Sequence, residues 1–550
     1  MLARLRTWSV FAGLMGLAVA LVPSGAARLV PTRVASSAAA TLVFGAEQGG
    51  GPDWCLNQHL DIDCAAGWNV VFETPVIRGA FLLRPDFVYQ PDLIGRYVLK
   101  TNPLRITYFI RKNATWSDGV PVTAKDFRFT WQEKLDPRYH GHTDRTGWED
   151  IARVAGNGKV VRVTFKRNFA AWKDLFGFVL PAHALAGSDL STVWESETGI
   201  VNPRTGRPIG DGPFVMTKFD RGCCITLVRN PHAWHGKRAK LGAIVFRFIT
   251  DTNSEIAAMR AGEVDAIYPQ PQLALADVKG LAGLRIQSHL GLQFEHVEIE
   301  EGAKGNPLAK VRWGRQALIT SLDRYAAAKA LFGTLNPKIK VLNSLTRLTN
   351  EPGYKPYFKK WNYNPSKVAS IMRQHNCVRG TDGFFRCAGT KMAFDFASTA
   401  GNKLRELAFV IFQNQAEKAG IQLRDAFVPA GTLFGSEVPE HNFDLAMFSY
   451  LVTVDPHYDV SVFSCGSDSN YGEYCNHRVT TLLKRSDRTL NEKARLKYVD
   501  AAGKILADDV PMIPLFQRTT YFVYKASVRG MVDNPTSQGP SWNAEEWDKG

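Results

Sequence analysis

From Thr41 onward the chain alternates between two apolar rhythms. Short runs repeat every second residue or stay continuously apolar, while other stretches repeat every three or four; these are the periods of strands and amphipathic helices. Leu104, Ile106, Tyr108 and Ile110 share one face of a half-buried strand. After the turn Trp116-Ser117-Asp118-Gly119, Thr123 predicts a helix cap and Asp126 a capping-box partner. Phe127, Trp131 and Leu135 then recur at helical spacing and predict the buried stripe. Val160–Phe165 reads as the next strand, followed by an aromatic-rich segment through Phe178. Ile244–Ile249, Ser254–Ala261 and Val264–Ile267 read as strand, helix and strand, with Gly262 ending the helix, a βαβ-like unit. Val311–Phe332 reads as one long helical stretch stopped by Gly333. Asn364-Pro365 opens a helix through Met372. Leu404, Leu407, Ala408, Ile411, Phe412 and Gln415 line a further helix stopped by Gly420. Ile421–Val428 and Phe443–Ser449 read as strands, and Pro511–Tyr524 as β-rich sequence interrupted by prolines.

A chain of 550 residues exceeds what one hydrophobic core organises, so two or three packed units are expected. The first residues follow another rule. Arg4 and Arg6 precede an uncharged apolar run, Trp8–Val22, and then small residues through Ala27. That layout predicts a signal peptide over residues 1–27, with 28–40 as a tether; an uncleaved membrane segment is the alternative. The net charge is +15, but basic residues are scattered and no nucleic-acid-binding motif accompanies them, so no nucleic-acid partner is expected. Among eight cysteines, Cys55 with Cys64, Cys377 with Cys387 and Cys465 with Cys475 each bracket a polar or glycine-containing loop. Three local disulfides are predicted, in keeping with export. Adjacent Cys223 and Cys224 are left open between a vicinal bond, free thiols and other partners. No cysteine–histidine cluster has zinc-ligand spacing, and neither metal nor cofactor is expected. G-x-S-x-G, S-x-x-K, H-E-x-x-H and phosphate-loop motifs are absent from the sequence, so binding is expected rather than catalysis.

Several segments, in order, resemble family 5 of the bacterial solute-binding proteins, which contains oligopeptide and dipeptide binders and some nickel and glycan binders. They are Tyr108 to Phe127 with its W-S-D-G turn, Pro208-Ile-Gly-Asp-Gly-Pro-Phe214, Leu227 to Trp234, Asn306 to Arg324, Asn362 to Lys367 and Phe443 to Pro456. The resemblance runs from about Thr41 to Trp547. It implies an α/β, two-lobed periplasmic-binding-protein fold of the large peptide-binding type, with an extra subdomain in the first lobe. Lobe I is expected over 41–75, 195–290 and 518–550, its extra subdomain over 76–194, and lobe II over 291–517. The implied function is capture of a peptide-like ligand between the lobes, outside the cytoplasm, by a monomer that serves an ABC importer's permease and ATPase. A non-peptide solute such as an oligosaccharide, conjugate or metal chelate is the alternative, and a secreted hydrolase a weaker one.

Two departures bear on the ligand. Val452 stands where peptide binders place the aspartate for the ligand's amino group, and Phe396 to Asn402 lacks the arginine that meets a dipeptide's carboxylate. Ligand contacts are therefore expected from Phe448 and Tyr450 as walls, from Ser398, Thr399 and Asn402 as polar partners, and from Glu47, Gln48 and Asp455 by position. Trp116 is read as cover over the lobe surface, and Gly210 and Gly212 as supplying backbone angles for a crossover between lobes.

Overall fold

The computed structural model describes residues 39–50, 54, 56, 67–139, 145–194, 199–235, 239–336, 339–455 and 457–550. The predicted signal peptide and nearly all of the tether lie outside the described residues, as do Cys55 and Cys64.

Two large sheets organise the chain from Ala39 to Gly550. In the seven-stranded sheet, Thr41–Ala46 lies at the centre, parallel to Ala243–Phe248 on one side and to Ala266–Ile267 on the other. The βαβ-like unit of the sequence thus closes around the chain's first strand, its own two strands being separated by it. Cys224–Arg229 and Phe214–Asp220 extend one edge, and Phe522–Lys525 and Leu284–Gln287 the other. Apolar positions of Thr41–Ala46 are enclosed: the Phe44 ring packs 5.4–6.2 Å from Phe246, Phe522, Trp547 and Trp68. Such aromatic clustering gives much buried area for few residues.

The five-stranded sheet runs Gln422–Val428, Ala393–Thr399, Leu445–Leu451, Leu290–Ile299, Met512–Thr519. Helix Lys403–Lys418 connects the parallel pair Ala393–Thr399 and Gln422–Val428, with Gly420 at φ 83° after it. The two sheets are joined by two antiparallel strand passages. Leu284–Gln287 continues through two residues into Leu290–Ile299, and Met512–Thr519 continues through two residues into Phe522–Lys525. Thr520 N–H donates to the His289 carbonyl at the joint, 2.8 Å. A pair of single strands crossing side by side is the form of a hinge.

A four-stranded sheet, Ile94–Thr101, Leu104–Ile110, Val160–Phe165, Ile151–Asn157, forms a separate layer with helix Ala124–Lys134. Thr123 and Asp126 make the predicted capping box.

Three expectations change. Val311–Phe332 is two helices, Arg312–Thr320 and Arg324–Phe332, because Asp323 caps a new start by accepting from Ala326 N–H, 2.9 Å. Trp116 is fully buried, a core residue rather than surface cover. Gly210 and Gly212 have no positive φ; a Cβ at either would collide with the backbone at Pro75 and Val76, so they serve close packing inside the first lobe. Cys377 is bonded to Cys387, Cys465 to Cys475 and Cys223 to Cys224.

Candidate ligand-binding site

Two junctions tie the five-stranded side to the rest of the chain. The first lies beside the hinge. Glu47 follows the central strand of the seven-stranded sheet and is buried. Its carboxylate accepts from Gln270 N–H, 2.8 Å, and from the Thr252 hydroxyl. Burial pushes its pKa up to about 7, against the hydrogen bond from Gln270 and the charges of Arg518 and Arg405. Gln48 beside it is half-buried. Asn402 approaches from the five-stranded side. It caps helix Lys403–Lys418 by accepting from Arg405 N–H, 3.2 Å, and its amide nitrogen donates to Gln270 Oε1, 2.9 Å. A helix cap thereby also bridges the two sheet units.

Behind that bridge, Arg405 donates to both oxygens of Glu295, each at 3.2 Å, and to the Thr399 hydroxyl, 2.9 Å. Arg518 lies 3.5 Å from the same carboxylate. This two-pronged pairing compensates a fully buried charge. Ser398 is also enclosed, and its hydroxyl donates to the Met447 carbonyl within the sheet, 2.7 Å.

The second junction joins the four-stranded layer's segment to the five-stranded lobe. The Tyr89 hydroxyl donates to Asp174, and Asp174 faces His457 Nδ1 at 3.1 Å. Ala170 N–H donates to the Asp487 carbonyl, 2.6 Å, and the Phe169 ring packs edge-on against His457. Asp455 pairs with Arg495, 2.5 Å, while Arg347 lies 3.5 Å from Glu351 and donates to the Val454 carbonyl. Carboxylates outnumber cations here. Burial raises the pKa of Asp455 against Arg495, pushes Glu351 up to about 6 and Asp487 up to about 7, and drives Asp459 well above its usual range.

A cavity of about 280 Å³ opens beside this second junction. Phe81, Tyr89, Trp148 and Phe178 give it aromatic walls, Lys134, Lys173 and Asp174 give it charge, and Thr453 enters from the five-stranded lobe. The Thr453 hydroxyl donates to the Asp455 carbonyl, 2.8 Å, which ties the wall to the charged junction. Apolar walls with a few converging polar groups are the usual form of a small-molecule site, though this volume is just below the usual range of roughly 300–1,000 Å³. Val452 is buried, its N–H donating to the Leu292 carbonyl, 2.8 Å.

Phe448 and Tyr450 lie on one face of the five-stranded sheet with His296. Tyr450 stacks parallel on the buried imidazole at 4.5 Å and Phe448 meets it edge-on at 4.5 Å. The Tyr450 hydroxyl donates to the Ser469 carbonyl, 3.3 Å. Burial holds the His296 pKa well below its usual value. Cys465, Cys475 and His477 lie close together, but the disulfide takes both sulfurs and leaves no thiolate for a metal.

The structure thus places Glu47, Asn402 and Thr399 together at the first junction and Asp455 at the second, with Phe448 and Tyr450 in a separate aromatic group. Sequence reasoning missed Tyr89, Lys134, Asp174, Gln270, Arg347, His457 and Arg495. Asp174 lies in the aromatic-rich stretch through Phe178 that the apolar pattern had marked, and that stretch was the available signal.

Residues 88–471 match the model of the bacterial extracellular solute-binding proteins, family 5. The chain belongs to this family. Family 5 relatives resemble it over most of their length: the oligopeptide-binding protein AppA of Bacillus subtilis (strain 168) is 25% identical over 456 residues, 80% of this chain and 79% of AppA. The solved structure of B. subtilis AppA in complex with a nonapeptide superposes with a TM-score of 0.80 at 22% identity, covering 92% of this chain and 98% of that one. A periplasmic EDTA-binding protein, EppA, superposes with a TM-score of 0.81 at 22% identity, covering 95% and 99%. The fold is therefore the two-lobed family 5 architecture. Among the described residues, no helix is long and apolar enough to cross a membrane.

Proposed function

We propose that this family 5 chain captures a small, peptide-like solute between its lobes outside the cytoplasm and delivers it, as a monomer, to the permease and ATPase of an ABC importer. Lobe I comprises 41–75, 195–290 and 518–550, with 76–194 as its extra subdomain, and lobe II comprises 291–517. The observation that carries this reading is the cavity beside Tyr89, Asp174 and Thr453, whose walls come from lobe I and its extra subdomain, with Thr453 facing them from lobe II. The Asp174–His457 and Asn402–Gln270 contacts hold the halves together on either side. The similarity to AppA, solved with a nonapeptide, supports a peptide-like guest. Lys134, Lys173 and Asp174 supply both signs of charge for a ligand's polar groups, and Tyr89 and Trp148 supply stacking faces. No bond is broken in this role, and the ligand is held and released intact.

One observation favours a second reading within the same scaffold. Val452 offers no carboxylate to a ligand ammonium, which fits a solute without a free amino end, such as a conjugate or chelate. The likeness to an EDTA-binding protein points the same way.

Native mass spectrometry of the purified mature chain, before and after mild unfolding, tests the proposal. A peptide mass released on unfolding supports the first reading and a non-peptide mass the second. In either case Thr453→Trp, which fills the cavity, is expected to abolish retention; retention at the wild-type level would place the ligand elsewhere.

A further inference from the structure

Away from the cleft, a second polar group closes the far end of the strand Leu290–Ile299. Gln293 pairs with Leu451 near the cavity, and Glu300 lies seven residues further on, roughly 20 Å away along an extended chain. Glu300 is fully buried. Its Oε1 accepts from Gly302 N–H, 2.7 Å. Among the described residues its Oε2 has no hydrogen-bond donor, and it faces His441 Nδ1 at 3.4 Å. The Glu473 carboxylate completes the group, and ligand atoms of Glu300, His441 and Glu473 all lie within 4.8 Å of one another.

The surroundings bring carboxylates together without a paired cation. Among the described residues, no lysine or arginine lies within ion-pair distance of Glu300 or Glu473. Arg315 is spent on Glu301, 2.7 Å, Lys304 donates to the Glu440 carbonyl and to Asn442, and Lys310 donates to the Ala303 carbonyl. Glu298, also buried, adds a further carboxylate oxygen without a donor among the described residues. Glycines permit the crowding: a Cβ at Gly302 would overlap the Glu473 carboxylate, and one at Gly472 would lie 2.7 Å from a Glu298 oxygen. The loop that carries Glu473 is stapled by Cys465–Cys475, which limits how far the carboxylates can part. The Tyr471 carbonyl, 2.8 Å from His441 Nδ1, brings a further oxygen to the same point.

We propose that Glu300, His441 and Glu473 form a divalent-cation site, distinct from the ligand cleft, that takes a first-row transition-metal ion of the Zn²⁺ type. An imidazole nitrogen beside two carboxylates selects Zn²⁺ over Ca²⁺ or Mg²⁺, which prefer all-oxygen sites. His441 takes the metal on Nδ1 as the neutral tautomer that carries its proton on Nε2, and the Tyr471 carbonyl, losing that hydrogen bond, turns to the ion as a fourth donor. The ion ties the end of the strand Leu290–Ile299 to the loops around His441 and Glu473, so it stiffens lobe II without contacting the transported solute.

The untagged mature chain, stripped of metal with a chelator and desalted, is titrated with ZnCl2 against a chromophoric competitor, with CaCl2 in parallel. About one equivalent of Zn²⁺ is expected to bind and to raise the thermal midpoint. Glu473→Gln and His441→Asn are each expected to weaken uptake by more than the roughly 10–100-fold that loss of an outer-shell partner costs. Asn suits the position because His441 sits at φ 60°, a region asparagine tolerates. Their circular dichroism should match the wild type. Zn²⁺ uptake unchanged in both variants, no stoichiometric uptake by the wild type, or Ca²⁺ held as tightly as Zn²⁺ would each overturn the proposal.

Discussion

The two junctions between the lobes solve the same problem in opposite ways. Beside the hinge, the two acids at the bridge are held, with Glu295 gripped by Arg405 and approached by Arg518 and Glu47 receiving Gln270 and Thr252; the exception is Glu255, buried next to Glu47. At the second junction, beside the cavity, Asp174, Asp455, Asp459, Asp487 and Glu351 share Arg347, Arg495 and His457, and among the described residues Arg347 Nε, Arg495 Nε and the Tyr458 hydroxyl have no hydrogen-bond partner. A closed network fixes geometry, whereas an open one keeps polar capacity that a guest can satisfy. In the proposed function the hinge end is structural and the cavity end recognises the guest.

The largest effect is expected on the hinge side. Arg405→Ala leaves Glu295 buried with Arg518 alone, and unfolding should cost less by about 4 kcal/mol. Chemical denaturation reads this, and a variant as stable as the wild type would show that the hinge network holds nothing. Next in size is pH. The folded pKa of Glu47, about 7, lies above the ordinary 4.5, so its protonated form favours the folded state. Its contribution is full below pH ~4.5 and is lost as pH rises through ~7, on the order of 3 kcal/mol in all. Glu255, Arg518 and Arg405 face the group, and the first opposes its ionisation while the two arginines aid it. Thermal midpoints measured across this range should fall with pH in the wild type and fall less in Glu47→Gln; an equal slope in both would contradict the assignment.

The recognition half carries smaller numbers. Asp174→Asn removes charge from the cavity wall and from the His457 contact, so ligand affinity should drop by roughly tenfold, about 1.4 kcal/mol, with little change in stability. Calorimetric titration with the co-purified ligand measures it; a stability loss without an affinity loss would reverse the roles given to the two junctions. Smallest is Asn402→Ala. It removes a helix cap worth about 1 kcal/mol together with the Gln270 bridge, and should lower stability by that amount while letting the lobes open more readily.

Local elements were legible in the chain because their rules are local. The capping box at Thr123 and the strand Leu104–Ile110 follow from neighbouring residues alone. The split at Asp323 was hidden because apolar spacing continues across it, while the competing cap acts through a single side-chain oxygen. Gly210 and Gly212 misled because glycine serves both unusual angles and close approach, and only the packed Pro75–Val76 segment distinguishes them. Glu47 is expected by position and Asn402 as a polar partner, but their link runs through Gln270, which no pattern marks. Asp174 and Thr453 are 279 positions apart, and Glu300 and Glu473 stand 173 apart, so neither grouping exists until the sheets assemble.

Closure of two lobes around a guest should change the size of the molecule, which small-angle scattering measures. The mature chain, freed of co-purifying solute by mild unfolding and refolding, is measured before and after the identified ligand is restored to saturation. The account predicts a smaller radius of gyration in the loaded protein; identical profiles with binding verified by calorimetry would contradict it.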